Sequence, residues 1–320
     1  MESITPFGII QSVLPVYGLI ILGGALRHTH RLLPGADSSL MKIVFHCFYP
    51  CLILDKVLTN SSAKDLTLLL WSLPVGFGII ALGLIIARLG GRLFKIPKGP
   101  DRNTFATTVG IQNYGFAAVP IVMALFPDDT LGVLFIHSLG VELALWTIGI
   151  ATLQGFFPKD FKSLISPPIL AVIIGLILNY TGVGDALASR SAFDSLFTLL
   201  RWLGSCSFPV ALIMVGSNLR DELKHCVPSF KVATSSILIR AMILPALILT
   251  FVTLTPFPVE LKQVLIVQAA MPSAVMPIVL AKFYNGKPAM ACQVVICTQV
   301  IGILTIPFWI SIGLMLNKGL

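Results

Sequence analysis

Long apolar runs, separated by short segments that hold most of the charged residues, dominate the chain. A helix that crosses a membrane needs about 20 predominantly apolar residues. Ten runs approach or exceed that length, at residues 7–26, 38–58, 66–94, 103–126, 130–153, 164–183, 192–217, 230–254, 259–284 and 288–316. The pattern therefore predicts an all-α integral membrane protein with ten transmembrane helices.

The fourth run contains helix-breaking and polar residues in its middle. Gly110, Gln112, Asn113, Gly115 and Pro120 fall within about three helical turns. Proline has no N–H, and its ring clashes with the carbonyl four residues earlier, so we expect the helix to break here. The backbone groups freed in lipid need partners in the protein or in a water-filled cavity. Broken helices with polar side chains at the break are typical of transporter binding sites.

The ninth run repeats this arrangement. Residues 276–283 (MPIVLAKF) align with residues 119–126 (VPIVMALF), so Pro277 follows Pro120 by 157 residues, close to half the chain. Such paired, proline-interrupted segments indicate a binding site between the two halves. Two ordinary kinked helices are the alternative, since Gly and Pro are common in membrane spans.

Each half contains five runs, which is an odd number. The second half therefore enters the membrane from the opposite side and has the opposite orientation. We therefore predict two inverted five-helix repeats, residues 1–157 and 158–320, as in many secondary transporters. Pro50 and Pro209 occupy corresponding places in the second and seventh runs, where they either kink the helices or only shape their packing.

Composition and charge support the membrane interpretation. The chain is 56% hydrophobic and 11% charged, with a mean hydropathy of +0.93, whereas soluble proteins have about 25% charged residues. The net charge of +8 does not indicate nucleic-acid binding, because the basic residues lie between apolar runs. Loops after odd-numbered runs hold 15 Lys and Arg residues and the other side holds 6, which predicts that both termini face away from the cytoplasm.

The sequence offers no motif for catalysis. It lacks HExxH, GxSxG and a phosphate-binding loop, and its six cysteines lack the spacing of a zinc site. We expect no enzymatic activity, no cofactor and no bound metal.

The predicted breaks suggest how a ligand binds. A helix that restarts after Pro120 or Pro277 points N–H groups at the break, and their partial positive charge favours a carboxylate. Asn113 can donate two hydrogen bonds. Gln268 and Ser273 in the second half either contact the substrate or hold helices together.

Ionisable residues inside spans are costly unless they are paired or hydrated. Glu142, in the fifth run, either couples transport to a proton or sodium ion or forms a buried pair. Arg240, in the eighth run, pairs with an acid or a backbone carbonyl, or extends its side chain to the cytoplasmic face. Asp55 and Lys56 are expected to form an interfacial ion pair.

At these residues the sequence resembles a known family. Residues 266–285, with Gln268, Pro272, Ser273 and Pro277, are similar to the ninth-helix signature of the auxin efflux carrier family. Gln112-Asn113-Tyr114-Gly115 with Pro120 resembles its fourth-helix signature. The similarity spans essentially the whole chain, apart from a much shorter central loop than in plant PIN-type members.

The resemblance implies the ten-helix, NhaA-like fold of the bile-acid/sodium symporter superfamily. Helices 1, 2, 6 and 7 would form a dimerising scaffold, and helices 3–5 and 8–10 a transport domain whose crossed helices 4 and 9 hold the substrate. Asn113 matches the family's substrate-contacting Asn, and Pro120 and Pro277 match its crossover prolines. The Pro that usually precedes this Asn in plant members is Gln112 here, which together with the short loop favours a bacterial protein.

These expectations combine into a homodimeric, elevator-type carrier that moves a small organic anion, a carboxylate or auxin-like acid, outward across the cytoplasmic membrane. Its substrate site would hold Gln112, Asn113, Tyr114, Pro120, Gln268, Pro272, Ser273 and Pro277. One alternative is a sodium- or proton-coupled symporter that uses Glu142. Another is a membrane sensor that binds a ligand without moving it.

Overall fold

A computed structural model describes residues 6–155, 166–223 and 229–317. Within these ranges the chain is helical apart from its loops and one two-residue bridge, which agrees with the predicted all-α class. Six helical segments there are long and apolar enough to cross a membrane. The predicted boundary between the repeats, at residues 157 and 158, lies outside the described residues.

Among its described residues, the first half contains six α-helical segments, two of which replace the predicted fourth span. They are α1 (Pro6–His28), α2 (residues 36–57), α3 (Leu66–Leu93), α4 (Pro100–Gly110), α5 (Ala118–Leu125) and α6 (Asp128–Gln154).

In residues 166–223 and 229–317 the second half contains eight α-helical segments, because two of the predicted spans are divided and a short helix follows the sixth. They are α7 (Pro167–Tyr180), α8 (Val183–Ala188), α9 (Asp194–Ser205), α10 (Ser207–Leu223), α11 (Phe230–Leu254), α12 (Val259–Ala270), α13 (Met276–Phe283) and α14 (Pro288–Leu316).

Local signals explain several helix ends. The Asp65 side chain accepts a 2.8 Å hydrogen bond from the Thr67 N–H, which satisfies a free donor at the start of α3. The predicted seventh span is divided at Cys206, three residues before Pro209. Pro209 therefore lies in the first turn of α10, where its missing N–H costs no hydrogen bond.

Two helices widen to π-helix just before a proline. The wide turns are Val44–Phe48 in α2, ahead of Pro50, and Ile237–Ile243 in α11, ahead of Pro245. A proline removes one helical hydrogen bond, and the local widening accommodates that loss without ending the helix. Pro50 and Pro209 thus act differently, although the sequence places them in corresponding spans.

Glycines let pairs of helices pack with their backbones in contact. A Cβ atom on Gly216 of α10 would lie 1.8 Å from the Ile20 carbonyl oxygen of α1, and one on Gly23 of α1 would lie 1.9 Å from the Ile213 oxygen. Small residues at such interfaces bring helices together inside lipid. The α1 and α10 helices therefore pack with their backbones in direct contact.

Ion pairs lie at both ends of the helices. At the end where α1 stops and α2 starts, Arg27 pairs with Asp37 and, at 3.0 Å, with Asp221. At the opposite end of α2, Lys56 pairs with Asp128 at 2.9 Å and lies 3.6 Å from Asp55, which agrees with the predicted interfacial pair.

The close α1–α10 contact predicts that Gly216→Ala destabilises the protein. The added methyl group would overlap the Ile20 carbonyl, and overpacking of this kind costs about 1–3 kcal/mol. Thermal unfolding of the purified protein in detergent measures the effect. Gly18→Ala in α1 is the matched control, because its Cβ would meet no atom within 4 Å. An equal melting temperature for both variants would contradict the packing.

Candidate functional site

The predicted fourth span is interrupted between α4 and α5. α4 ends at Gly110, residues 111–117 are not helical, and α5 begins at Ala118. Pro120 lies in the first turn of α5, so the helix restarts before this proline. The sequence analysis had expected it to restart after Pro120. A proline in that turn gives up an N–H that has no helical partner in any case.

The predicted ninth span is interrupted in the same way. α12 ends at Ala270, and α13 begins at Met276, with Pro277 as its second residue. The predicted breaks in both spans are therefore confirmed, and again the helix restarts ahead of the proline.

The two interruptions meet. Gln112 and Ser273 form an antiparallel bridge. The Asn113 N–H donates to the Pro272 carbonyl at 2.8 Å, and the Ala274 N–H donates to the Ile111 carbonyl at 3.0 Å. Each break thus supplies partners for backbone groups that the other break leaves free, as burial in a membrane requires.

Polar side chains from neighbouring segments secure this crossing. Gln268 Nε2 donates to the Tyr114 carbonyl at 3.0 Å, and Gln112 Nε2 donates to Gln268 Oε1 at 3.4 Å. From α14, the Thr298 hydroxyl accepts the Ser273 N–H at 3.2 Å, and Gln299 donates to the Ser273 carbonyl.

Arg240 holds the end of α12. Its side chain is 1% exposed, and its guanidinium donates to the carbonyls of Met271 at 3.0 Å and Ala269 at 3.5 Å. A positive charge at a helix C-terminus opposes the negative end of the helix dipole. The predicted pairing with a backbone carbonyl is confirmed, and the alternative that Arg240 extends to the membrane face is wrong.

A cavity of about 170 Å³ lies against the crossing. One wall comes from α2 and α10, and the other comes from both interruptions, the starts of α5 and α13, and Glu142 of α6. The lining residues are Met41, Phe45, Tyr49, Asn113, Tyr114, Gly115, Phe116, Glu142, Val215, Asn218, Ala274, Val275, Met276 and Val279. Pockets for drug-sized ligands start at about 300 Å³, so this one suits a small metabolite.

Hydrogen-bond donors line part of this cavity. In the described part of the chain, the backbone N–H groups of Gly115, Phe116, Val275 and Met276 have no hydrogen-bond acceptor. They lie at the N-terminal ends of α5 and α13, where the helix dipole favours negative charge. Asn113 is 4% exposed; its Oδ1 accepts the Ala117 N–H at 3.4 Å, and its Nδ2 has no partner among the described residues.

Glu142 supplies an acceptor on the same cavity wall. The Tyr114 hydroxyl donates to Oε1 at 2.5 Å and the Trp146 indole N–H donates to Oε2 at 2.7 Å. A π-helical turn, Leu145–Gly149, follows directly, and such turns are frequent at functional sites. Glu142 forms no ion pair with any residue that the structure describes.

The residues predicted for the site divide into two groups. Asn113 and Tyr114, with Glu142, line the cavity. The others lie behind its wall and build the crossing: Gln112, Pro120, Gln268, Pro272, Ser273 and Pro277. The Ser273 hydroxyl has no partner among the described residues, but it does not face this cavity.

Several lining residues escaped the sequence analysis. Asn218 of α10 is half-buried, and no hydrogen bond engages its amide within the described ranges. Phe45, Tyr49 and Phe116 form an aromatic group, with Phe45 and Phe116 ring centroids 6.0 Å apart. A polar amide directly after the apolar seventh run was the one available signal, whereas aromatic residues are common in spans for packing alone.

A larger cleft of about 640 Å³ lies at the end of the helices where α2 stops. Asp55, Lys56, Asp128 and Arg201 line it, and these groups pair with one another at 2.9–3.6 Å. Because these four groups already pair with one another and no residue of the crossing lines the cleft, we regard the smaller cavity as the functional site.

Comparisons with known proteins agree with a transport site. A family model described as membrane transport protein matches residues 8–156 and 158–310. An uncharacterized transporter of the archaeon Methanocaldococcus jannaschii is 24% identical over 310 residues, covering 93% of this chain and 96% of that protein. One from Methanothermobacter thermautotrophicus is 24% identical over 312 residues, covering 94% and 97%. Both relatives are archaeal, and a bacterial origin for this chain stays a prediction.

The contacts of Arg240 predict that Arg240→Met lowers stability. The carbonyls of Met271 and Ala269 would lose their donor, and an unsatisfied buried group costs about 1–3 kcal/mol. Thermal unfolding in detergent checks this, with Arg190→Met in an exposed loop as the control. If the two substitutions lowered the melting temperature equally, Arg240 would not be holding the crossing.

Proposed function

The chain belongs to the membrane transport protein family, the auxin efflux carrier family that its two proline motifs resemble, and from that premise we propose that it is a secondary carrier for a small organic anion bearing a carboxylate. One observation carries the proposal. The N-termini of two half-helices, with unpaired N–H groups, converge with Asn113 on one cavity.

This arrangement suits a substrate that must bind and then leave. Oriented N–H groups and an amide give a carboxylate several hydrogen bonds. No Arg or Lys in the part of the chain that the structure describes lines the cavity, so these residues do not supply the bidentate charged contact that would hold an anion tightly. Moderate affinity of this kind is what a carrier requires.

The position of the cavity supports an elevator mechanism. Its walls come from α2 and α10 on one side and from α6 and the interrupted helices on the other. By resemblance, the first wall belongs to the scaffold and the second to the moving transport domain. A substrate bound at such a boundary would travel with the transport domain when that domain slides along the scaffold.

The wider architecture is part of the proposal. The matched interruptions, one in each half, favour two inverted five-helix repeats with crossed fourth and ninth helices. The homodimer, the cytoplasmic membrane and the outward direction follow from the resemblance. Arg27 and Lys282, assigned to the cytoplasmic side by the charge count, both contact the end of α10, and this supports termini that face away from the cytoplasm.

A symporter is the second candidate, and Glu142 is the observation that favours it. Its carboxylate lies on the cavity wall without a basic partner among the described residues. A buried carboxylate of this kind is typical of sites that take up a proton or a sodium ion during transport.

Asn113→Ala tests the anion site. We expect a folded protein that binds the substrate about tenfold to hundredfold more weakly, because a hydrogen bond to a charged group contributes about 1.5–3 kcal/mol. Ligand-induced stabilisation and flux into proteoliposomes measure binding and transport.

Asn103→Ala is the matched control for this experiment. Asn103 lies on α4, the half-helix that ends just before Asn113, but it bonds to Arg88 and the Leu153 carbonyl, outside the cavity. Normal uptake by the Asn113 variant would refute the site assignment.

Glu142→Gln separates the carrier from the coupled symporter. If transport is coupled through Glu142, an imposed proton or sodium gradient accelerates uptake by the native protein, and this acceleration disappears in the variant. For the uncoupled carrier we expect native uptake to be independent of both gradients. Fluxes in proteoliposomes at fixed membrane potential measure the difference.

A further inference from the structure

The proposed anion site has an acidic residue on its wall. Glu142 lines the same cavity as the unpaired N–H groups, and no basic side chain of the described residues lines that cavity. Arg240 is bound to backbone carbonyls, and Lys282 pairs with Glu222. An anion that enters this cavity therefore meets an uncompensated carboxylate, unless something positive enters with it.

Glu142 retains room for such a partner. An ionised carboxylate offers about four lone-pair sites, and the Tyr114 hydroxyl and the Trp146 N–H occupy one on each oxygen. Both neighbours are donors whose hydrogens point at Glu142. The lone pairs that remain on Glu142 can accept hydrogen bonds from an ammonium group, which needs only acceptors.

The aromatic side chains of the cavity also suit an ammonium group. Phe45, Tyr49, Tyr114 and Phe116 all line it, and the rings of Tyr49 and Phe116 are tilted towards each other with centroids 6.2 Å apart. The face of an aromatic ring attracts a cation, with the largest effect where water is excluded. A carboxylate among aromatic rings is a common way to recognise an amine.

The cavity is therefore bipolar. One pole is the Glu142 carboxylate with the aromatic rings. The other is formed by the free N–H groups at the starts of α5 and α13, together with the Nδ2 group of Asn113, which has no partner among the described residues; Asn113 is 4% exposed. A negative charge at one pole and the partial positive charges of N–H donors at the other thus line one cavity of about 170 Å³.

We propose that the substrate is a small zwitterion that carries both an ammonium and a carboxylate group, as in an amino acid with an apolar side chain. This rests on the proposed carrier function and narrows its substrate class. The carboxylate binds the half-helix N-termini and Asn113, and the ammonium binds Glu142. The substrate brings its own positive charge, so Glu142 needs no coupling ion.

Matched ligand sets test the proposal on the native protein. Leucine is compared with isocaproate, which lacks the amino group, and with isoamylamine, which lacks the carboxylate. Phenylalanine is compared in the same way with hydrocinnamate and phenethylamine. Thermal stabilisation of purified protein gives the binding midpoints, and proteoliposome flux of the labelled ligands gives transport. At least one amino acid should bind about tenfold or more tightly than both of its truncated analogues.

The Glu142→Gln variant then tests whether Glu142 binds the amino group of the substrate. The variant should lose the preference for the amino acid and bind the corresponding deaminated acid at least as well as the native protein does. Glu260→Gln is the matched control, because Glu260 contacts Ser62 outside the cavity. That control should retain the native preference.

Two results would overturn the proposal, and they are distinguishable. If isocaproate or hydrocinnamate bound as well as its amino acid, and more tightly as the pH falls, a proton would be the partner of Glu142 and the anion carrier would stand. If no carboxylate, with or without an amino group, produced stabilisation or flux, the proposed function itself would fail as well.

Discussion

The whole structure depends on one constraint, that backbone N–H and C=O groups inside a membrane must find partners within the protein. Two spans are interrupted, at residues 111–117 and 271–275, which leaves backbone groups without helical partners. Each interruption supplies hydrogen-bond partners for the other. Two backbone hydrogen bonds, from Asn113 to Pro272 and from Ala274 to Ile111, join the breaks directly. Gln268 and residues of α14 satisfy further groups. The crossing can therefore lie buried without an open sheet edge or an unsupported loop.

What the crossing leaves unpaired is as important as what it pairs. At α12, Arg240 satisfies the carbonyl end of the half-helix, whereas the N–H ends of α5 and α13 stay free at the cavity. The carbonyl acceptors at the end of α12 are therefore paired inside the protein, whereas the N–H donors at the starts of α5 and α13 are available to a ligand. Glu142 adds an acceptor opposite these donors, and the combination explains why a ligand with separated charges suits the site better than a simple anion.

Sequence reasoning located the interruptions because proline, glycine and amides clustered inside an apolar run both weaken a helix and supply polar groups for the break. It could not decide which polar side chains face the cavity, since Gln112 and Asn113 are adjacent and point to different surroundings. Nor could it decide whether Pro209 kinks the seventh span or only shapes its packing, and the division there falls at Cys206, three residues earlier. Asn218 lies on α10, whereas Phe45 and Tyr49 of the aromatic group lie on α2, which is distant in sequence. Only the packing of α2 and α10 against the crossing brings these residues together.

An experimental structure with a bound carboxylate ligand is the most direct test of the central claim, which is that the half-helix N-termini at the crossing bind the negative group. We predict that the carboxylate oxygens lie about 2.7–3.2 Å from backbone nitrogens at the starts of α5 and α13, with Asn113 in contact. Uninterrupted helices through these two segments, or a ligand bound away from both N-termini, would contradict the account.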